Sequence, residues 1–283
     1  MDMEDDLDFV TALEVRQADQ SVYDPDIART FFLNHGKPAS LPKDGVLFVE
    51  QTAGERMYFI LRGELSLSVR GKSLDVLRAG EIVGEMSIIS GAPRAATATA
   101  KSDCMLITME GAAFKAALIN QPEFATMLMH MMLSRLRLML SVLRIRGSLA
   151  GAAVQNSGCV LNSTLLGNIA ATLGEKGIVQ FREGRAIIVE GSSGVSMYAI
   201  LEGSAAVAIQ GKVIETAGPG SVFGEMALID SSPRAASVTA TSDCKLLSIN
   251  KESFMSLVRN NPAFGIGILR GFAERLRYLN TLR

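Results

Sequence analysis

Two pairs of opposite charges stand out by residue type and spacing. Glu85 is followed nine residues later by Arg94, and Glu225 nine residues later by Arg234. Each glutamate follows a glycine (Gly84, Gly224), and each arginine follows a proline (Pro93, Pro233). A glycine lets the backbone turn tightly and approach a ligand closely. The segment Glu85 to Ile89 can then form one helical turn whose free N–H groups point at an anion. A guanidinium can fork onto two phosphate oxygens, and a carboxylate can accept a hydrogen bond from a sugar hydroxyl. A ring-closed phosphate ester that keeps its ribose 2′-OH supplies the matching groups.

The elements that must position these residues occur twice. Residues 84–104, GEMSIISGAPRAATATAKSDC, match residues 224–244, GEMALIDSSPRAASVTATSDC, at 13 of 21 positions and an offset of 140 residues. The register holds upstream without a gap: Gly54, Met57, Tyr58, Gly63, Gly71 and Gly80 all recur 140 residues later. Downstream, Pro122 answers Pro262. So long an offset marks a duplicated domain rather than a solenoid unit. Four segments follow: an acidic lead-in over 1–22, a first domain over 23–146, a small and polar linker over 147–158, and a second domain over 159–283.

Within each repeat, short alternating runs such as MYFILRGELSLSV read as strands, with glycines as the turns between them. Two helical patterns follow, the later one opening on Pro122 or Pro262. The expected fold class is α+β, each domain an antiparallel β-barrel or jelly roll with flanking and C-terminal helices.

The doubled segment resembles the phosphate-binding cassette of the cyclic-nucleotide-binding domain family, usually close to FGE-[LM]-A-L, a short gap, then PR-x-A-T-V. That family includes kinase regulatory subunits, nucleotide-gated channels and bacterial catabolite regulators. The second copy keeps Phe223, Gly224, Glu225, Ala227, Pro233, Arg234, Ala236 and Val238, with Ser237 in place of Thr. The first keeps Gly84, Glu85, Pro93, Arg94, Ala96 and Thr97, and departs at Val83, Ser87 and Ala98. The resemblance implies that Glu85 and Glu225 hold the ribose 2′-OH and that Arg94 and Arg234 hold the cyclic phosphate. Backbone N–H groups near Gly84, Met86 and Ala95, and near Gly224, Met226 and Ala235, would assist. Ala95 and Ala235 stand where members preferring cyclic GMP often place Thr, so cyclic AMP is the expected ligand. The family also implies a lid from the last helix: Arg135 and Arg275 are the candidates, with Tyr278 an alternative cap by stacking.

Bulk properties narrow the rest. The chain has 283 residues, 48% apolar and 20% charged, with net charge −1. It lacks the basic excess of a nucleic-acid-binding surface. His35 and His130 form no ligand cluster, so neither a metal nor a metal-dependent hydrolase is expected. Cys104, Cys159 and Cys244 form no disulfide framework. The N-terminus is acidic where a secretory signal is basic, and charges interrupt the most apolar stretch, so a cytoplasmic protein off the membrane is expected. No helix-turn-helix segment follows the second repeat, and no Arg-rich pseudosubstrate precedes the first. In the long helix, Met129, Met132, Leu136, Met139 and Leu143 step as a seam, and Met127, Met131, Leu138, Val142 and Ile145 form a second stripe. That pattern suggests a homodimer through residues 124–146, or a helix packed within its own chain. The function expected is a non-enzymatic cyclic AMP sensor that changes domain arrangement to control an unidentified effector protein; the alternatives are a transcription-factor-like or kinase-regulatory protein of the same family, or a degenerate barrel serving as an interaction scaffold.

Overall fold

The structure, a computed structural model, describes residues 23–145, 147, 153–156 and 161–282. The acidic segment 1–22, most of the expected linker 147–158, and Cys159 lie outside the described residues. The described residues form two compact units, one over 23–128 and one from 129 to 282. The division falls inside the long helix.

The first unit opens with α1 (Pro25–His35). Asp24 caps it: its Oδ1 accepts the N–H groups of Asp26 and Ile27, and Pro25 takes the first turn, where no N–H is needed. Strands β1 (Lys37–Leu41), β2 (Val46–Phe48), β3 (Arg56–Arg62), β4 (Glu64–Val69), β5 (Lys72–Arg78) and β6 (Ile82–Val83) follow. The short helix α2 (Glu85–Ser90) leads to β7 (Thr97–Ala100), β8 (Cys104–Glu110) and α3 (Gly111–Asn120), and α4 (Pro122–Ile145) begins here. The strands make two four-stranded antiparallel sheets, ordered β1-β8-β3-β6 and β2-β7-β4-β5. Between them lie Ile60, Leu65, Leu77, Val83 and Leu106, all buried. Outside, Phe31 of α1 stacks on Phe124 of α4 with ring centroids 3.7 Å apart, which fixes the helices to each other.

The second unit takes α4 from Met129 onward. It then has β9 (Gln155–Asn156), α5 (Ser163–Leu173), β10 (Ile178–Phe181), β11 (Ala186–Ile188), β12 (Ser196–Glu202), β13 (Ala205–Ile209), β14 (Lys212–Ala217) and β15 (Val222–Phe223). The short helix α6 (Glu225–Asp230), β16 (Ser237–Ala240), β17 (Cys244–Asn250), α7 (Lys251–Asn260) and α8 (Pro262–Thr281) complete it. The sheets are β10-β17-β12-β15 and β11-β16-β13-β14-β9. The pairing repeats that of the first unit: Met57 faces Met109, and Met197 faces Ile249. Both β4–β5 and β13–β14 turn on two consecutive residues of positive φ, Arg70-Gly71 and Gln210-Gly211. That geometry matches the twist of the flanking strands. One strand has no counterpart among the described residues: β9 adds to the edge of β14 in parallel.

The expected fold class holds: antiparallel sheets with flanking and C-terminal helices, made twice. The seam of α4 is buried within a single chain, from Met129 and Met132 at 0% exposure to Met139 at 8%. In the second stripe Met127, Met131 and Val142 are also buried, whereas Ile145 is exposed. By length and composition α4 could cross a membrane, but 61% of its most apolar window is buried inside the protein, as in a core helix.

Candidate functional site

The two glutamate–arginine pairs are the buried charges of the two barrels. Glu85, Arg94, Glu225 and Arg234 are exposed by 3%, 3%, 1% and 7%. Burying a charge costs several kcal/mol unless something compensates it, so the surroundings of each group decide what the site can do.

Both cassettes start on a left-handed glycine, Gly84 at φ 84° and Gly224 at φ 82°. The turn there lets the arginine reach back beneath the helix. Arg234 Nη1 donates to Gly224 O at 2.6 Å, and Nη2 donates to Ser196 O at 2.5 Å. Arg94 does the same with Gly84 O at 3.0 Å and Arg56 O at 2.7 Å, and its guanidinium lies 4.3 Å from the centre of the Phe48 ring. Carbonyl dipoles hold both cations, but among the described residues neither forms an ion pair with a carboxylate. Burial lowers the pKa of each; the nearby Tyr58 and Glu85, or Tyr198 and Glu225, offset this in part. A bound anion would offset the burial directly. Glycine is also needed behind each arginine: a Cβ on Gly54 would lie 2.6 Å from Arg94 Nε, and one on Gly194 would overlap the Arg234 guanidinium.

At the second cassette a cavity of about 400 Å³ opens in front of these groups. Gly224, Glu225, Met226, Arg234 and Ala235, all singled out from the sequence, line it together. Its opposite walls are apolar, built from Val207, Ile209 and Ile214 of the sheet and Leu279 of α8. A volume of that size suits a small molecule with one anionic end.

Arg275 and Tyr278 line the same cavity. Arg275 Nη1 donates to Glu225 Oε1 at 2.5 Å, and Nη2 donates to Val222 O at 2.9 Å and Glu215 Oε1 at 3.3 Å. Burial alone would lower its pKa; the two carboxylates more than offset this and raise it above the usual arginine value. Glu225 Oε2 remains buried with no hydrogen-bond partner. Tyr278 donates its hydroxyl to Ala153 O. Arg135 sits half-buried on α4, 140 residues before Arg275. In the first unit Gly84 precedes α2, Glu85 and Met86 open it, and Arg94 and Ala95 follow it, in the same order as their counterparts about α6.

Glu215, Leu136, Leu140 and Gln155 are among the cavity residues absent from the expected site. Glu215 had a signal, because Asp75 stands 140 residues before it. Leu136, Leu140 and Gln155 had none, since they lie on α4 and β9, upstream of the repeated cassette.

The model of the cyclic nucleotide-binding domain family matches residues 38–121 and again 178–261. The chain belongs to the cyclic nucleotide-binding domain family. Each match contains one complete cassette. Among relatives of this family member is a cAMP-dependent protein kinase regulatory subunit of Hypocrea atroviridis, 26% identical over 255 residues, which are 85% of this chain and 49% of that protein. Another is the corresponding subunit of Eremothecium gossypii, 23% identical over 82% of this chain and 46% of that protein. The chain spans about half the length of the curated relatives it matches. A solved structure of the regulatory domain of Toxoplasma gondii PKA with cAMP is 23% identical over 83% of this chain and 92% of that one, with a TM-score of 0.31.

Proposed function

We propose that this member of the family binds a cyclic nucleotide at both cassettes, cyclic AMP in preference to cyclic GMP, and acts as a non-catalytic regulatory protein in the cytoplasm. The observation that carries this reading is Arg234: a buried guanidinium that forms no ion pair with a carboxylate among the described residues, lining a cavity together with a glutamate that has one unused oxygen. The cyclic phosphate supplies the missing anion, and the ribose 2′-OH donates to Glu225. Ala235, after the arginine, offers no hydroxyl to a guanine amino group, which supports cyclic AMP. Glu85 and Arg94 act alike in the first repeat. Arg275 holds the Glu225 carboxylate in place through its Nη1 hydrogen bond.

We retain residues 23–146 and 159–283 as the two functional domains, joined by 147–158. Ligand binding draws the cassette helix inward and favours one arrangement of the domains over another, through its differential affinity alone. An effector protein reads that change. The burial of the α4 seam within one chain favours the helix packing in its own chain over the homodimer through 124–146.

Calorimetric titration of the ligand-stripped protein tests the reading. Cyclic AMP should bind at two sites per chain, and Arg94→Ala and Arg234→Ala should each remove one. No binding of any cyclic nucleotide at millimolar concentration would overturn it.

A further inference from the structure

The second cavity is not closed by the second repeat alone. Leu136 and Leu140 of α4 form part of its wall, and Gln155 of β9 lines it as well. All three lie upstream of the matched residues 178–261. Leu136 is exposed by 1% and Leu140 by 7%, whereas Gln155 is exposed. The leucines therefore lie deep, and the glutamine stands at the mouth.

Two arginines fix α4 across the cassette. Arg137 Nη2 donates to Asp230 Oδ1 at 2.9 Å, at the end of α6, and Nη1 donates to Pro233 O at 3.3 Å. About two turns further on, Arg144 Nη2 donates to Ala235 O at 2.6 Å and to Glu190 Oε1 at 2.7 Å. Ala235 adjoins Arg234, so the helix is tied to the backbone that holds the anion end of the cavity. Beside these anchors, Leu136 and Leu140 share one helix face, four residues apart. The strand of Gln155 is held as firmly: it pairs with Glu215 and Thr216 of β14, and Thr216 Oγ1 donates to its carbonyl at 3.3 Å.

The cassette takes the charged end of a ligand, so these upstream residues meet the other end. We propose that, in the second site, Leu136 and Leu140 pack on the purine ring and Gln155 hydrogen-bonds to its edge, making them binding and specificity residues of that site. This rests on the reading that the site takes a cyclic nucleotide. Leucine side chains suit the flat apolar face of a base. A carboxamide presents an acceptor beside a donor, the complement of the adenine amino group and its neighbouring ring nitrogen.

Calorimetry on the full chain carrying Arg94→Ala, which leaves the second site, provides the test. In that background Gln155→Ala should weaken cyclic AMP about tenfold, and should weaken the analogue lacking the 6-amino group by a smaller factor, since that analogue has only the ring-nitrogen hydrogen bond to lose. Leu140→Ala should weaken both ligands about equally. Unchanged cyclic AMP affinity in Gln155→Ala and Leu140→Ala would overturn the inference while leaving the site intact. No binding at all in Arg94→Ala chains whose circular dichroism is native would instead overturn the functional reading of the second site. A parallel measurement needs no substitution. Wild-type protein photolabelled with 2-azido and 8-azido cyclic AMP should carry label on peptides containing 136–140 or 153–156. Label confined to 161–282 would overturn the inference.

Discussion

Arg275 Nη1 donates to Glu225 Oε1 at 2.5 Å and so joins the last helix to the cassette carboxylate. The residue expected to swing as a lid is anchored on the group expected to hold the ribose. The Glu225 side chain keeps 2% of its exposure and that of Arg275 23%, so the carboxylate is cut off from bulk water and the guanidinium is its nearest charged partner.

Removing the cation should therefore be costly. Arg275→Met removes the cation that bonds to both Glu225 and Glu215. The unfolding free energy, from urea titration, should fall by about 3 kcal/mol. Adding Glu225→Gln should recover part of that loss, because the unpaired charge is then gone. A double variant no more stable than the single one would show that the pair acts only as packing.

The glycines behind the arginines make a second prediction. Gly194→Ala places a Cβ where the Arg234 guanidinium lies, and Gly54→Ala crowds Arg94 at 2.6 Å. Neither glycine has a positive φ, so backbone strain does not confuse the outcome. Each variant should weaken cyclic AMP binding at its own site by at least about tenfold and leave the other site unchanged, as read by calorimetric stoichiometry.

His130 predicts a pH dependence of stability. Burial lowers its pKa below the ordinary 6.5; Asp230 partly offsets this and Lys251 adds to it. The folded imidazole resists a proton that the unfolded one accepts. Its contribution is therefore complete above about pH 6.5 and is lost as pH falls through the folded pKa. Between pH 7.5 and 5.5, wild-type protein should lose more unfolding free energy than His130→Gln. Equal losses would show that the histidine does not couple to folding.

Two thiols should be inert in the native protein. Cys104 and Cys244 are exposed by 2% and 4%, and burial raises both pKa values. Each also donates to carbonyls, Cys104 to Ser102 O at 3.2 Å and Cys244 to Ser204 O at 3.0 Å. Iodoacetamide at pH 8 should modify neither until urea is added, as followed by peptide mass spectrometry. Prompt native-state labelling of either would show that its barrel opens locally.

The repeat and its chemistry were legible because they are local. Glu85 and Arg94, or Glu225 and Arg234, lie nine residues apart with glycine and proline beside them, and a short helix and one turn bring them together. Glu215 left a fainter trace, an acidic residue matched by Asp75. The apolar stripes of α4 showed that the helix is covered on two faces. They did not show by what, because periodicity records burial and not the partner.

From the sequence alone came the doubled fold, its cassettes, and the charged groups that face a ligand, since bonding and spacing within about ten residues dictate them. Tertiary structure alone decided that Arg275 rests on Glu225, that Arg137 and Arg144 clamp α4 to the second cassette, and that Leu136, Leu140 and Gln155 border its cavity. Those relationships join residues far apart in the chain through packing of whole elements. Side-chain shape and long-range geometry fix such packing, and neither is written in any local pattern.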